Sequence, residues 1–482
     1  MDSKDSKGSG TTIKILILGS GFSGVTVMRE LQKRFKNYSR VRITMVSRQN
    51  HFLFTPMLPE ACTGMVEIRH IATAIRDFLS TSKTNTTTFY EANVEKIDLH
   101  HKKVEISSEV GTNQELTENF RTGLSYDYLV IALGSQTNFF GMSNIERHSF
   151  TMKDTADAIE IRNHIIRMLE QAELEQDNRE MRRKLLTFVV VGGGFSGVEA
   201  VGEINNLIRE SIRDYYHNID EKEVKIVLVH SKDKILPEIG EELGEYALQK
   251  LKDRGIEVIL NSHATDITEN GLIELDNGKI TIPTSTLIWT AGVKPEDVIE
   301  KMPCQHDKSG RIKVNYYLQI PNEHTAYSIG DCSSLIDPHT LEPYHPTAQI
   351  AVRQAKVVAR NIEHQINDKG KGMLTFDYKP KGLMAEIGKR TAVAKIFGIK
   401  LHGFAAWWLW RTFYLMNLPT TRKKIRVMID WTIDLLFGRD ITMIQRPNHD
   451  FQFNMTAKDI ASSRNEIDQG HISMDRQATE GA

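Results

Sequence analysis

Two stretches decide the fold: Ile13-Lys-Ile-Leu-Ile-Leu-Gly-Ser-Gly-Phe-Ser-Gly24 and Leu186-Thr-Phe-Val-Val-Val-Gly-Gly-Gly-Phe-Ser-Gly197. Each begins with a short apolar run that reads as a buried parallel strand. Each ends in G-x-G-x-x-G and passes into a helical pattern. The first helix runs through Val25, Met28 and Leu31 to about Phe35, and Val41 to Val46 reads as the next strand. The second runs to about Tyr215, with Val224 to Val229 as its strand. Both are βαβ units. Gly-Phe-Ser-Gly-Val stands at 21–25 and again at 194–198, and Leu129-Val-Ile-Ala-Leu-Gly134 resembles Leu287-Ile-Trp-Thr-Ala-Gly292. One α/β domain is therefore used twice, as two Rossmann-like dinucleotide-binding domains with the second inserted into the first. The expected division is 12–150 with 321–368 for the first domain and 151–320 for the second. A C-terminal membrane-associating helical region follows over 369–446, and 1–11 and 454–482 read as disordered tails. Asn138 to Phe150 reads as a polar linker, and Glu173 to Arg183 as a solvated helix or helix end.

The glycines carry the chemistry. The first of each set (Gly19, Gly192) allows the tight turn. The second (Gly21, Gly194) lets a pyrophosphate approach the backbone, and the third (Gly24, Gly197) lets helix and strand pack closely. Gly193, Phe22, Ser23, Phe195 and Ser196 complete the two cradles. The helix N-terminus then stabilises phosphate charge. One such turn is weak evidence, since glycine turns also join strands for steric reasons alone. Two, in a duplicated frame, point to two dinucleotides. Both copies lack the usual ribose acid at the end of the second strand. The first ends Val46-Ser47-Arg48, where Ser47 can bond one hydroxyl. The second ends Val229-His230-Ser231-Lys232, which leaves NADPH open beside NADH.

Composition excludes other classes. Of 482 residues 40% are apolar and 26% charged, which is globular. A net charge of −1 supplies no chain-wide field for nucleic acid. The three cysteines (Cys62, Cys304, Cys332) form no C-x-x-C pair and fit a reducing compartment. Seventeen histidines show no metal spacing, so no metal site is expected. The densest apolar stretch, Gly403 to Leu418, holds Arg411 and spans about 16 residues, short of the ~20 that cross a bilayer. It carries Trp407, Trp408 and Trp410, and a basic cluster at Arg422, Lys423, Lys424 and Arg426 follows. From Lys423 to Phe437, polar Lys423, Arg426, Asp430 and Asp434 recur at steps of three and four, and Gly438 ends the pattern. Aromatics and basic residues on amphipathic helices fit a peripheral anchor on a membrane surface. A helical hairpin packed on the core, or at a homodimer interface, fits the pattern equally.

These motifs resemble the two-dinucleotide-binding flavoprotein oxidoreductases, and among them the type II NADH:quinone oxidoreductases. The resemblance covers roughly residues 12 to 446. His51-Phe-Leu-Phe-Thr-Pro-Met-Leu-Pro59 is similar to the family stretch along the flavin, which implies cofactor contacts for Thr55 and Leu58, with Ser47 and Arg48 nearby. The strand end with Ala132 and Gly134 is similar to the one closing the FAD site. Ile329-Gly-Asp-Cys-Ser333 looks like the motif whose Asp, here Asp331, meets FAD; the competing reading of Gly330-Asp331 is a helix N-cap. Ala291 and Gly292, with His230, would lie beside NADH. Glu199 stands at the family's glutamate near the nicotinamide, as a proton carrier or a simple hydrogen-bonding group. Pro346-Thr-Ala-Gln-Ile-Ala351 with Gln354 resembles the quinone side of the flavin, implying roles for Ala348, Gln349 and Gln354; Arg353 stands where the family has Gln. The resemblance implies a peripheral, non-proton-pumping enzyme with FAD, NADH and a quinone, and the reducing cysteine pattern favours the cytoplasmic face of the inner or cell membrane. The rivals are a sulfide:quinone oxidoreductase, whose redox cysteines are missing here, another FAD-dependent NAD(P)H oxidoreductase, and a redox sensor similar to apoptosis-inducing factor.

Overall fold

Ile13–Leu18 pairs in parallel with Val41–Ser47 on one side and Tyr128–Ile131 on the other. Thr86–Glu91 extends the sheet beyond Val41–Ser47, and Glu323–Ser328 pairs in parallel with Tyr128–Ile131. With Gln319–Ile320 this makes a six-stranded sheet, one edge of which comes from far along the chain. Between these visits the chain builds a second, all-parallel sheet in the order Ile256–Ile259, Lys225–Val229, Thr187–Val191, Thr286–Trp289. Thr187–Val191 is buried along its whole length, as a strand covered on both faces must be. The computed structural model describes residues 11–79, 86–110, 118–379 and 382–443. The expected tails, apart from Thr11, and the last residues of the 369–446 region lie outside them.

The glycine turns take the roles that steric reasoning assigns. Gly19 has φ +100° and Gly192 φ +121°, backbone that side chains with a Cβ rarely adopt. A Cβ on Gly24 would collide with the carbonyl of Gly19, and one on Gly197 with the carbonyl of Gly192. The helices Phe22–Arg34 and Phe195–Tyr215 thus start hard against their strands. A Cβ on Gly21 or Gly194 would meet nothing within 4 Å.

Several regions depart from the sequence reading. The linker at 138–150 contains a helix, Ser143–His148, seated by Ile145 in the core of the second sheet. Glu173 to Arg183 spans the end of one helix (Thr155–Leu174) and the start of another (Arg179–Leu185), and Arg182 in it is buried against Glu223 at 2.6 Å rather than solvated. Packing on the first sheet resumes before Pro321. Val293–Pro295 pairs with Ser135–Thr137, and Ile299, Met302 and Ile312 share a core with Leu16, Leu18 and Leu129. The C-terminal helices are preceded by an antiparallel sheet of Gly382–Gly388, Thr391–Ile396 and Ile399–His402. The Gly388-Lys-Arg390 turn between two apolar runs was its signal. This sheet rests on the second glycine-turn helix, where the carbonyl of Ile387 occupies the space a Cβ on Gly202 would need.

Helices Gly403–Asn417 and Thr421–Phe437 close the structure. The polar stripe of the second faces the protein. Asp430 accepts from His70 Nδ1 at 2.6 Å and from the Glu67 amide at 3.1 Å, and Lys423 Nζ donates to the carbonyl of Arg69. Its apolar side is the exposed one: Ile425, Met428, Ile429, Ile433, Leu436 and Phe437 are all exposed. Phe404, Trp408 and Met416 of the preceding helix are exposed too, while Trp407 and Trp410 are buried. No helix among the described residues is long and apolar enough to cross a membrane.

Gly24→Ala is expected to cost about 1–3 kcal/mol through overpacking at the strand–helix junction. A lower thermal midpoint and poorer flavin retention on purification would check it.

Candidate active site

The first glycine turn, the 51–59 stretch, the N-terminal end of the second turn's helix and the C-terminal hairpin all border one cavity of about 1490 Å³. Gly19, Gly21, Phe22, Ser23, Ser47, Arg48, Thr55, Leu58, Ala132, Gly134, Phe195, Ser196, Glu199, Gly292, Asp331, Ala348 and Gln349 line it. Gly24, Gly192, Gly193, Gly194, Gly197, His230, Ala291 and Gln354 do not. Gly24 and Gly197 lie in the strand–helix contacts beneath. Neither Gly21 nor Gly194 caps its helix with a side chain, so the first-turn N–H groups are left for an incoming anion. His51 Nε2 is buried there without a partner. An open Gly21 cradle, uncapped amides and an orphaned ring nitrogen fit a bound dinucleotide.

Asp331 accepts from Ser135 Oγ at 3.1 Å, and Ser135 Oγ accepts from Lys153 Nζ at 3.4 Å. Burial pulls the Lys153 ammonium below its ordinary pKa, opposed by Asp331, Glu296 and Asp157. Sequence reading passed over Lys153, because a lone lysine before a capping Asp154 carries no pattern. The N-cap reading of Gly330-Asp331 is corrected. Gly330–Cys332 is a single 3₁₀ turn, and the helix Ala348–Asp368 is capped by Thr347, whose hydroxyl accepts from the Ile350 amide. Gln354 is corrected likewise. It is buried, and its Oε1 accepts the Gly330 amide at 2.8 Å, so it positions the Asp331 turn and does not face the cavity.

Gln349 does face it. Its Nε2 donates to the carbonyl of Gly382 at 3.0 Å, and its Oε1 accepts from Tyr378 Oη at 3.2 Å. Arg353 stacks over the Tyr378 ring at 4.1 Å and donates to the Gln349 carbonyl at 3.1 Å. The residue that departs from the family pattern thus clamps the Tyr378–Gln349 pair.

Behind Glu199 lie three more buried carboxylates, Glu60, Glu203 and Glu386, from three separate elements. Glu199 Oε1 accepts the Glu386 amide at 3.2 Å. Burial pushes the Glu199 carboxyl up to about 8, against the Glu386 amide and the Trp410 indole that lower it. Burial also pushes Glu60 to about 8 and Glu386 well above the carboxylate range. Glu386 accepts from Trp407 Nε1 at 2.9 Å, and Glu60 from Trp431 Nε1 at 3.3 Å. Arg411 is held between those two indoles, 4.5 and 4.2 Å from the ring centres. Glu203 is paired with Arg439 at 2.7 Å, which also meets Glu210 at 3.2 Å and Asp434 at 3.6 Å.

Residues 13–355 match the family described as pyridine nucleotide-disulphide oxidoreductase, and 381–440 match the NDH2 C-terminal domain. A probable NADH dehydrogenase of Dictyostelium discoideum is 32% identical over 89% of this chain and 91% of its own. The type II NADH:quinone oxidoreductase Ndh of Mycobacterium tuberculosis is 31% identical over 88% of this chain and 89% of its own. The chain belongs to the type II NADH:quinone oxidoreductase family. Its fold superposes on that of NDH2 from Plasmodium falciparum solved with NADH (TM-score 0.81, 22% identity, 89% of this chain and all of that one). The sulfide:quinone oxidoreductase of Aquifex aeolicus shares the fold at TM-score 0.64 and 17% identity, covering 89% of this chain and 96% of that one. No cysteine lines the cavity, and Cys62 and Cys332 are buried.

Arg439→Met should destabilise the protein by about 3–5 kcal/mol, because it strands Glu203 as an unpaired buried charge. Adding Glu203→Gln should recover part of that loss in denaturant titrations. Equal loss in the single and double variants would refute the pairing argument.

Proposed function

We propose that this protein oxidises NADH and reduces a quinone to quinol without pumping protons, with FAD in the cavity. The observation that carries this reading is convergence: both glycine-turn helices and an exposed apolar hairpin border the same space. Bound FAD supplies the two-electron relay between a hydride donor and a quinone. The first turn's open amides and Gly21 would hold its pyrophosphate, with Asp331, aligned by Gln354, toward the ribityl chain. The second turn would hold the nicotinamide nucleotide, with Gly292 and Glu199 at its inner end.

The net reaction takes up one proton with each NADH oxidised. Glu199 is the proton holder we assign. With its pKa raised to about 8, its carboxyl is protonated at neutral pH and charges as pH rises through about 8. Gln349, fixed by Tyr378 and Gly382, would orient the quinone head group. Leu409, Phe413 and Tyr414 give the cavity an apolar wall on the hairpin. Phe413 is also partly exposed, beside an outward face rich in apolar side chains, and this fits a peripheral membrane protein into which quinone enters from the bilayer. Three free cysteines favour a reducing, cytoplasmic-type face.

Glu199→Gln should leave anaerobic flavin bleaching by NADH in place. It should slow reoxidation by a short-chain quinone about 10²-fold and remove the decline of that step above about pH 8. An unchanged pH profile would remove the proton role. Ile433→Glu with Leu436→Glu should abolish co-sedimentation with anionic vesicles while NADH still bleaches the flavin. Undiminished sedimentation would count against the anchor.

A further inference from the structure

We propose that a cavity between Ile68–Ile71 and Thr421–Phe437 binds the phosphate headgroup of an anionic lipid, with Arg69 and Arg426 as the side chains that hold it. This rests on reading the hairpin's outer face as a membrane anchor, and adds to that anchor a site for one lipid molecule.

The cavity measures about 350 Å³ and is lined by Arg69, His70, Arg426, Ile429 and Asp430. It shares no lining residue with the larger one. Two contacts build it. His70 Nδ1 meets Asp430 Oδ2 at 2.6 Å, and the Glu67 amide donates to the same oxygen at 3.1 Å. The His70 and Asp430 side chains are only 19% and 12% exposed, so the pair forms the floor. Two turns earlier on the same helix, Lys423 Nζ donates to the Arg69 carbonyl. Asp430, the acid among the lining residues, is thus engaged by the wall, and Lys423 is committed as well.

The two arginines are not. Arg69 is exposed, and Glu67, itself exposed, stands 4.0 Å off. Arg426 forms no ion pair among the described residues, and Arg422 one turn ahead adds another cation. The crowding shows at Lys423. Burial first, then Arg426 and Arg422, pulls its ammonium below the ordinary pKa, with Arg69 adding to the effect and Asp77 opposing it. Cations around Lys423 therefore outweigh the carboxylates that face them. A bound anion relieves that repulsion, and a guanidinium matches a phosphate with two parallel N–H donors.

The apolar side decides which phosphate. Ile429 lines the cavity and is exposed, and Ile425 and Ile433 stand one turn to either side of it, exposed too. The helix surface changes from guanidinium to hydrocarbon between Arg426 and Ile429, within one turn. A free phosphate uses only the first of these. A lipid uses both, with its phosphate between the arginines and its chains along the isoleucines. A choline headgroup would bring a cation against the guanidiniums, so a lipid of net negative charge is the one that fits.

The test uses the flavin-loaded full chain. Dihexanoyl phosphatidylglycerol, kept below its micelle threshold, is titrated by calorimetry beside dihexanoyl phosphatidylcholine, glycerol 3-phosphate and inorganic phosphate. The anionic lipid should bind at one site per chain, about tenfold or more tighter than the other three. Arg69→Gln and Arg426→Gln should each weaken it about thirtyfold, the scale of a charged hydrogen bond, with flavin content and bleaching by NADH unchanged. Arg422→Gln, beside the cavity but not in its lining, should weaken it no more than about fivefold, the scale of one basic residue near an anionic surface. Inorganic phosphate binding as tightly as the lipid would overturn the proposal, and so would equal losses in all three variants, the mark of diffuse charge. Vesicle co-sedimentation separates this inference from the anchor. Phosphatidylglycerol added to phosphatidylcholine vesicles should strengthen sedimentation, and Arg426→Gln should weaken that gain. Sedimentation indifferent to phosphatidylglycerol, with no calorimetric binding, would overturn the lipid site and leave the anchor standing. No sedimentation with either vesicle would overturn the anchor reading, and this inference with it.

Discussion

The carbonyl of Gly19 lies where a Cβ of Gly24 would be, and the carbonyl of Gly192 does the same to Gly197. With no side chain between them, each helix begins within van der Waals contact of its strand end. That contact aims two sets of uncapped amides outward from their sheets. The rest of the site is arranged around those two directions. The chain leaves the first sheet to build the second and returns to finish the first, bringing the Gly330-Asp331 turn beside the first cradle. Gln354 then locks that turn from the following helix.

A second constraint is electrostatic. Placing Glu199 beside the cavity required burying it, and three further carboxylates are buried behind it. The protein offsets this with Arg411 between two indoles and Arg439 among Glu203, Glu210 and Asp434. Raised carboxyl pKa values follow from the same burial, so they are a by-product of how the elements pack.

Much of this was legible in the sequence because it is local. A G-x-G-x-x-G turn states its own geometry, and both turns took the conformations their glycines require. The strand Ile13–Leu18 and the helix ended by Gly438 could be read to within a residue or two for the same reason. What escaped depends on contacts between distant segments. Lys153 gains meaning only beside Ser135 and Asp331, and Glu386 only behind Glu199. Gln354 matched a motif, but the motif could not say that its amide turns inward. The polar stripe at Lys423, Asp430 and Asp434 had the right period, and periodicity alone does not say which face meets the protein.

That inward-facing stripe makes the hairpin a structural keystone. Trp431 supplies the indole that bonds Glu60 and flanks Arg411, and Arg439, just past the helix end, neutralises Glu203. Trimming the chain before residue 421 would remove the exposed apolar face of the last helix together with Arg439, the partner of Glu203, and the Trp431 indole that flanks Arg411. Solubility has to be sought on the outer face, one side chain at a time, with the hairpin left in place.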